Sequence, residues 1–422
     1  MESYGSEPPE RRRWEIPVGE RPGPGGGPAR PGRRRWLPGA ACAAVAVLAL
    51  AASASWSHLG LPEPVGDLAV GRTTLVLVDS SRSEPASAEP QDSRNVPLVV
   101  WYPARAGTGL PAAYVDGRDG LSEALVSTGE LSSLEVAALR WVRPHARDDA
   151  DVAESEARYP VLLLSPGNAT NVDFYAALAE DLASHGYVVV GLNHPYHVTA
   201  TRLDDGTVAT YLPDAAPAGG AGAEAATRGK ISERVADVRF VLDQLPALAD
   251  EGTVAGGRLD LHRIGIVGHS NGGITAVTAC RQDARLVACA NLDGQLAGGP
   301  FGAQAQHRAP EQPFLFVTKE ASLHPAIGAR FEEAGSGAFR AVVPAASHEE
   351  FADGPLLTPS LLPLPRSAEQ VVAATRGLVS AFFDHALRGL PVTILGDIDA
   401  RTDLFINAYP LEHKEPLPTA AG

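Results

Sequence analysis

Ser270 has the surroundings best suited to chemistry, because it lies at the centre of the sequence Gly-His-Ser-Asn-Gly-Gly at 268–273. The apolar run 263–267 precedes this motif, and residues 274–280 can continue behind it as a helix. A Gly-x-Ser-x-Gly sequence between a strand and a helix makes a tight, strained turn that holds the serine Oγ outward. The motif therefore predicts a nucleophilic serine at residue 270.

A serine hydroxyl becomes a strong nucleophile when an imidazole removes its proton, and that imidazole needs a carboxylate to hold its tautomer. In chains with this motif the partners follow in the order serine, acid, histidine, each after a strand. Only His348 closely follows a predicted strand, 339–343, and we predict that it is the base. The other histidines after Ser270 lack that placement: His307, His324, His385 and His413. His194 and His269 are interpreted as packing or pocket-lining residues.

Two carboxylates end a strand after the serine, Asp293 and Glu320. Asp293 is favoured because a short carboxylate before Gly294 suits a buried position with backbone hydrogen bonds. Glu320 follows Lys319 directly, which also fits an ion pair on the surface. Position alone leaves both open as the acid.

Charge that develops on a substrate oxygen needs hydrogen-bond donors already in place, and the backbone N–H after the nucleophile usually supplies one. That residue is Asn271. The second donor is expected from the turn 165–168, where Pro166 has no N–H to give. Asn168 is the first choice for it and Gly167 the second.

Strands and helices alternate along most of the chain, which predicts an α/β fold with a mostly parallel central sheet covered by helices on both faces. The predicted strands are 72–79, 96–102, 161–164, 187–192, 263–267, 286–291, 313–318 and 339–343. The predicted helices are 131–141, 172–185, 231–245, 274–280, 325–333 and 368–387. We interpret 104–158 as an insertion over one face of the sheet, and 213–226 as a loop rich in Gly and Ala.

The chain has 422 residues, 45% of them hydrophobic and 20% charged, with a formal net charge of −15. This composition indicates a soluble globular body, and the acidic balance argues against nucleic-acid binding.

Residues 1–36 form a basic leader that we expect to be disordered. Residues 37–61 contain no charged side chain and follow three arginines, which predicts a signal peptide or a membrane anchor. The catalytic domain is then 65–410, outside the cytoplasm, either secreted or anchored to the outer face of the cytoplasmic membrane.

The cysteines and histidines show no spacing typical of metal ligands, so neither a metal nor another cofactor is predicted. Cys280 and Cys289 remain in the catalytic domain after cleavage of the leader. In an exported protein they could form a disulfide, but they fall at the end of a helix and the start of a strand. A disulfide and two buried thiols are both left open.

These residues resemble those of the platelet-activating factor acetylhydrolase family, serine-dependent lipases of the α/β-hydrolase fold. The resemblance covers roughly residues 65–390. It rests on 181–190 (Asp-Leu-Ala-Ser-His-Gly-Tyr-Val-Val-Val), on the Ser270 motif, on the spacing to Asp293, and on Ser347-His348 with Phe351 and Asp353. It implies Ser270 as nucleophile, Asp293 as acid and His348 as base, which raises Asp293 above Glu320. The family often has His-Gly in the first oxyanion turn, where this chain has Pro166-Gly167.

The resemblance implies hydrolysis of lipid-like carboxylic esters through an acyl-enzyme, without calcium, with a phospholipid of short sn-2 chain as the first substrate. Two alternatives stay open. One is a polyester, triglyceride or dienelactone hydrolase-like esterase that uses the same three residues. The other is a binding protein with this fold and no catalysis, displayed at the membrane through the apolar segment.

Overall fold

The structure is a computed structural model that describes residues 60–87, 89, 91–115, 121–129, 131–213, 221–250, 252–295, 311–319, 338–344, 346–357, 367–391 and 405–408. Strands β1 to β13 are, in order, Ala69–Ser83, Ser93–Ala104, Leu110–Pro111, Arg147–Asp148, Tyr159–Ser165, Val188–Leu192, Ala200–Arg202, Val208–Thr210, Leu259–His269, Leu286–Leu292, Phe314–Lys319, Ala338–Val343 and Phe405–Ala408. Helices α1 to α7 are Leu121–Ser127, Ser133–Leu139, Ala176–Ser184, Ala221–Asp250, Asn271–Gln282, Gly354–Leu357 and Ser367–Arg388.

One large sheet has the strand order β13-β12-β11-β10-β9-β5-β6-β2-β1-β4-β3. The six consecutive strands from β12 to β6 run parallel to one another. At the two ends of this group, β2 pairs antiparallel with β6, and β13 pairs antiparallel with β12. The carboxyl ends of the parallel strands therefore lie along one edge of the sheet. This edge is where Ser270, Asp293 and His348 follow β9, β10 and β12.

The central strand β5 shows how the two faces of the sheet are covered. Leu162 and Leu164 belong to a core that includes α3 and α7, whereas Val161 and Leu163 belong to a core that includes α4 and α5. Successive side chains of a strand point to opposite faces, so a strand buried on both sides is continuously apolar. The predicted α/β class, with a mostly parallel sheet and helices on both faces, is confirmed.

The insertion 104–158 differs in part from its prediction. It contains the helices α1 and α2, but its short strands β3 and β4 extend the sheet at its edge, where Arg147 and Asp148 pair with β1. The Arg72 guanidinium, with Nε 2.8 Å from Asp148 Oδ1, helps to hold that edge. A two-residue strand is too short for side-chain alternation to reveal it in the sequence.

The helix predicted at 231–245 is longer than expected, since α4 begins at Ala221. The predicted loop 213–226 is therefore wrong for residues 221–226, which are helical. The Ala-rich sequence 221–226 favours helix, and the glycines before it had suggested an irregular loop. The strands predicted upstream and downstream are confirmed within a few residues.

The predicted leader 1–36 and most of the apolar segment 37–61 lie outside the described residues, as does the predicted helix 325–333. Across the described ranges, no helix is both long and apolar enough to cross a membrane.

Cys280 and Cys289 are buried free thiols, so the disulfide alternative is not realised.

Candidate active site

Ser270 occupies the turn between β9 and α5 with a strained backbone. Its φ is 55° and its ψ is −122°, a conformation that L-residues rarely adopt and that is typical of functional sites. A side chain at Gly268 would collide with the Gly272 carbonyl, and one at Gly272 would collide with the Ser165 carbonyl. The glycines are therefore needed for close approach, and the turn presents Ser270 Oγ at the sheet edge.

The structure brings Ser270, His348 and Asp293 into one hydrogen-bonded chain. His348 Nε2 lies 2.9 Å from Ser270 Oγ, and His348 Nδ1 lies 2.7 Å from Asp293 Oδ2. An ionised carboxylate only accepts hydrogen bonds. The Nδ1 atom of His348 therefore carries a hydrogen, and this N–H donates a hydrogen bond to Asp293. The Nε2 atom of a neutral His348 is then the acceptor for the Ser270 hydroxyl.

Asp293 is held by groups from the neighbouring strand β11. Its side chain is 1% exposed, and its Oδ1 accepts from Thr318 Oγ1 at 2.8 Å. The backbone N–H of Asp293 donates to Val317 O at 2.7 Å, and Lys319 Nζ lies 3.7 Å from Oδ2. These contacts orient the carboxylate towards His348. The alternative acid, Glu320, lies outside the described residues.

His348 begins a short 3₁₀ helix, His348–Phe351, directly after β12. This helix is fixed by reciprocal capping, in which the Ser347 N–H donates to Glu350 Oε2 at 2.6 Å. The His348 side chain is 33% exposed, and its ring centroid lies 4.6 Å from that of buried His269. His348 thus packs against His269 on one side and is open to solvent on the other.

The two predicted oxyanion donors are Asn271, which follows Ser270 in the chain, and Asn168, which follows Gly167 in a turn next to Ser270. Asn271 is the first residue of α5, and its N–H has no acceptor within the helix. The Gly167 N–H donates to Tyr175 Oη at 2.9 Å and is therefore occupied, which favours Asn168 over Gly167. The Asn168 side chain donates to Tyr211 Oη at 2.8 Å, so a donor from this residue to the substrate would be its backbone N–H.

Of the other histidines singled out from the sequence, the three that the structure describes have hydrogen-bond partners other than Ser270, His348 and Asp293. His194 is completely buried, His269 Nδ1 lies 2.7 Å from Tyr175 Oη, and His385 Nδ1 lies 3.0 Å from Leu390 O. His307, His324 and His413 lie outside the described residues. Within the described part of the chain, no group of three or more His, Cys, Asp or Glu side chains has the arrangement of a metal site.

Asp353 anchors the loop that carries His348. It is buried against the amino end of α3, where its Oδ2 accepts from Tyr114 Oη at 3.0 Å and from the Ala177 N–H at 3.2 Å. Its own N–H donates to Phe174 O at 2.7 Å. Burial raises the pKa of the Asp353 carboxyl to about 8, although these hydrogen bonds act in the opposite direction.

Asp353→Asn should make the free energy of unfolding less dependent on pH between about 4 and 8. A carboxyl whose pKa is raised in the folded state binds a proton that the unfolded chain has already lost, so its contribution to stability falls as the pH rises through this window. Urea unfolding at pH 5 and pH 8 measures the effect. Asp204→Asn, at an exposed position, is the control; equal pH dependence in both variants would contradict the expectation.

A cavity of about 380 Å³ lies beside the cluster. Ala169 and Glu349, which line it, directly follow Asn168 and His348 in the chain, so the cavity adjoins both the 165–168 turn and the loop of His348. The rest of its lining is largely apolar, with Leu131 and Leu139 from the insertion, Phe174, Ala352, Pro355 and Leu357. Pockets of this size and character take small molecules with a sizeable apolar part.

Three residues that hold the site were not predicted from the sequence: Thr318, Tyr175 and Arg234, whose Nη1 donates to Pro166 O in the 165–168 turn at 2.7 Å. Thr318 and Tyr175 carry no pattern that distinguishes them from core residues. Arg234 does carry a signal, because it falls on the apolar stripe of α4, three residues after Ile231 and four before Val238. A charged side chain at such a position is buried with specific partners.

A family model described as platelet-activating factor acetylhydrolase, isoform II, matches residues 54–210. This region contains Asn168 and ends before Ser270. A probable 1-alkyl-2-acetylglycerophosphocholine esterase from Arthroderma benhamiae is 28% identical over 289 residues, which are 65% of this chain and 68% of that protein. The platelet-activating factor acetylhydrolase of Cavia porcellus is 24% identical over 294 residues, 63% of this chain and 62% of its own length.

Among solved structures, a ferulic acid esterase from Streptomyces cinnamoneus has a TM-score of 0.65 and 29% sequence identity to this protein. The match covers 83% of this chain and 99% of the esterase. The similarity therefore extends over nearly the whole of a solved esterase and includes the large sheet and its helices.

Proposed function

Because this protein is a carboxylic ester hydrolase that resembles the platelet-activating factor acetylhydrolases of the α/β-hydrolase superfamily, we propose that Ser270, His348 and Asp293 are its catalytic triad. The observation that carries this proposal is the continuous hydrogen-bond chain from Ser270 Oγ through His348 to Asp293. The strained backbone of Ser270 and the burial of Asp293 support it.

The reaction follows from the positions of the protons. Ser270 Oγ attacks the acyl carbonyl carbon while His348 Nε2 takes the hydroxyl proton, and Asp293 stabilises the imidazolium. The N–H groups of Asn271 and Asn168 stabilise the tetrahedral oxyanion. His348 returns the proton to the departing alcohol, which leaves the acyl group on Ser270. A water molecule, deprotonated by His348, then releases the acid and restores the enzyme.

The substrate is proposed to be an ester with an apolar group that enters the cavity beside Asn168 and His348. A phospholipid with a short sn-2 acyl chain is the first candidate, because the relatives from Arthroderma benhamiae and Cavia porcellus carry that activity in their names. An aromatic acyl ester is the second, because the similar solved structure is a ferulic acid esterase.

A panel of purified esters tests this proposal: a phospholipid with an sn-2 acetyl group, a feruloyl ester, a triglyceride and a soluble polyester. A fluorophosphonate probe provides a measurement that does not depend on substrate choice. Covalent labelling of Ser270 and turnover of at least one ester are expected. An unlabelled serine together with no turnover would favour the binding protein without catalysis.

Leu131→Trp should shift the preference towards small esters, because Leu131 is partly buried and lines the cavity. The ratio of kcat/KM for p-nitrophenyl octanoate to that for p-nitrophenyl acetate is expected to fall about tenfold or more, the effect of a few methylene groups that no longer fit. Leu134→Trp is the matched control, since Leu134 is 71% exposed on α2 and does not line the cavity. An unchanged ratio in the Leu131 variant would exclude this cavity as the substrate site.

The uncharged segment 37–61 follows Arg33, Arg34 and Arg35 and supports a further proposal. The catalytic domain is exported, and it is either secreted or anchored to the outer face of the cytoplasmic membrane. Cell fractionation with determination of the mature amino-terminal residue tests it. Intact protein recovered only from the cytoplasm would contradict export.

A further inference from the structure

Arg234 is a buried cation that binds the back of the oxyanion turn. Its Nη1 donates to Pro166 O at 2.7 Å, and its Nη2 donates to Gly167 O at 3.2 Å and to His197 O at 3.1 Å. The side chain is completely buried, and its Nε has no hydrogen-bond partner among the described residues. Burying a cation with an unpaired donor costs stability, so its position calls for an explanation.

The carbonyl groups held by Arg234 determine where the neighbouring N–H groups point. In a trans peptide the C=O and the N–H that follows it point in opposite directions. With Pro166 O and Gly167 O on the Arg234 side, the N–H groups of Gly167 and Asn168 face the other way. The first of them reaches Tyr175 Oη, as expected from this geometry.

Ser270 lies next to this turn. A Cβ atom at Gly167 would be 3.6 Å from Ser270 Cβ and 3.3 Å from His269 Nδ1. A side chain at residue 167 would thus touch Ser270, which places the turn directly beside this residue. The direction of its peptide planes decides whether an N–H is available at the substrate oxygen.

The same helix, α4, also holds the start of the turn. Asp237, three residues after Arg234, lies with its Oδ2 2.9 Å from His194 Nδ1, and His194 Nε2 lies 3.0 Å from Ser165 Oγ. Ser165 is the last residue of β5 and begins the turn. All three side chains are buried, and burial lowers the pKa of His194 to about 4, which leaves it neutral. This second Ser–His–Asp array is shielded from substrate and serves to fix the turn.

The geometry points to Arg234 as a positioning residue for the oxyanion hole: its guanidinium holds two successive carbonyl groups of the 165–168 turn so that the Asn168 N–H is aimed at the substrate oxygen. This inference rests on the proposed function and adds to it a residue behind the site, out of contact with the substrate. A planar guanidinium suits the task because it donates to two acceptors in a fixed geometry, whereas an ammonium behaves as a single point charge.

Arg234→Met and Arg234→Lys test the inference. Loss of one oxyanion donor typically lowers kcat by roughly 10²-fold or more. We expect about that loss for folded Arg234→Met, with KM changed less than about threefold, and roughly a tenfold loss for Arg234→Lys. Affinity for a trifluoromethyl ketone, which forms an oxyanion on Ser270, should fall by the same factor as kcat. A general loss of structure would not produce this proportionality.

Arg376→Met is the matched control. Arg376 is also buried, donates to the carbonyls of Pro62 and Glu63, and pairs with Asp181 away from the turn. The Arg376→Met substitution is expected to lower Tm while leaving kcat within about threefold of the wild type. The inference is overturned if folded Arg234→Met keeps its kcat, or if the Arg376 variant loses as much.

The Arg234→Lys variant and the rate of the wild type separate a failure of the inference from a failure of the proposed function. If Arg234→Met does not fold, folded Arg234→Lys with the kcat of the wild type overturns the inference. If the wild type itself shows no turnover that depends on Ser270, the proposed function fails. If the wild type is active and a folded Arg234 variant has the same kcat, the positioning role of Arg234 is refuted and the proposed function stands.

Discussion

Ser270→Ala is expected to lower ester turnover by about 10⁴-fold or more while leaving the fold intact. The variant lacks the hydroxyl oxygen that lies 2.9 Å from His348 Nε2, so no acyl-enzyme can form at this residue. The residual rate would come from binding and from the oxyanion donors. Initial rates with p-nitrophenyl acetate measure the loss, and thermal unfolding checks the fold. Removal of the side-chain oxygen leaves in place the hydrogen bond from the backbone N–H of residue 270 to Leu292 O.

The matched control is Ser155→Ala, in which the serine precedes the amino end of β5 and contacts Tyr159 Oη. This variant should retain the activity of the wild type and its labelling by a fluorophosphonate. If Ser270→Ala kept more than a few per cent of the rate with a normal Tm, another residue would have to be the nucleophile.

Asp293→Asn is expected to lower kcat by roughly 10⁴-fold with little change in KM. An amide nitrogen facing His348 Nδ1 would make that atom an acceptor and place the imidazole proton on Nε2. His348 could then no longer accept the proton of Ser270. Asn is nearly the same size as Asp and can still accept from Thr318, so the fold should survive.

The alternative acid provides the control for this prediction. Glu320→Gln should keep kcat within about threefold of the wild type, because Asp293 already occupies His348 Nδ1 at 2.7 Å. A large loss in Glu320→Gln with an active Asp293→Asn variant would reverse the assignment. Steady-state kinetics on both variants with one soluble ester distinguish the two outcomes.

Much of the fold was predictable because its signals are local. Residues 161–164 and 264–267 lie in strands buried on both faces, and their continuous apolar runs reveal this without any partner. The short strand β4 was missed, because two residues carry no periodicity. The start of α4 was predicted ten residues too late, because the glycines before residue 221 favour a loop whereas the alanines at 221–226 favour a helix.

The serine turn and the α/β alternation can be recognised in the amino-acid sequence, since both depend on backbone conformation and periodicity within a few residues. Tertiary packing brings together the groups that meet at this turn, because His348 lies 78 residues from Ser270 and 55 from Asp293 along the chain. It also decided that Gly167 donates to Tyr175 and that Arg234 lies behind the oxyanion turn. Such contacts depend on how the strands pack side by side and on what burial costs each polar group, and no stretch of sequence contains that information alone.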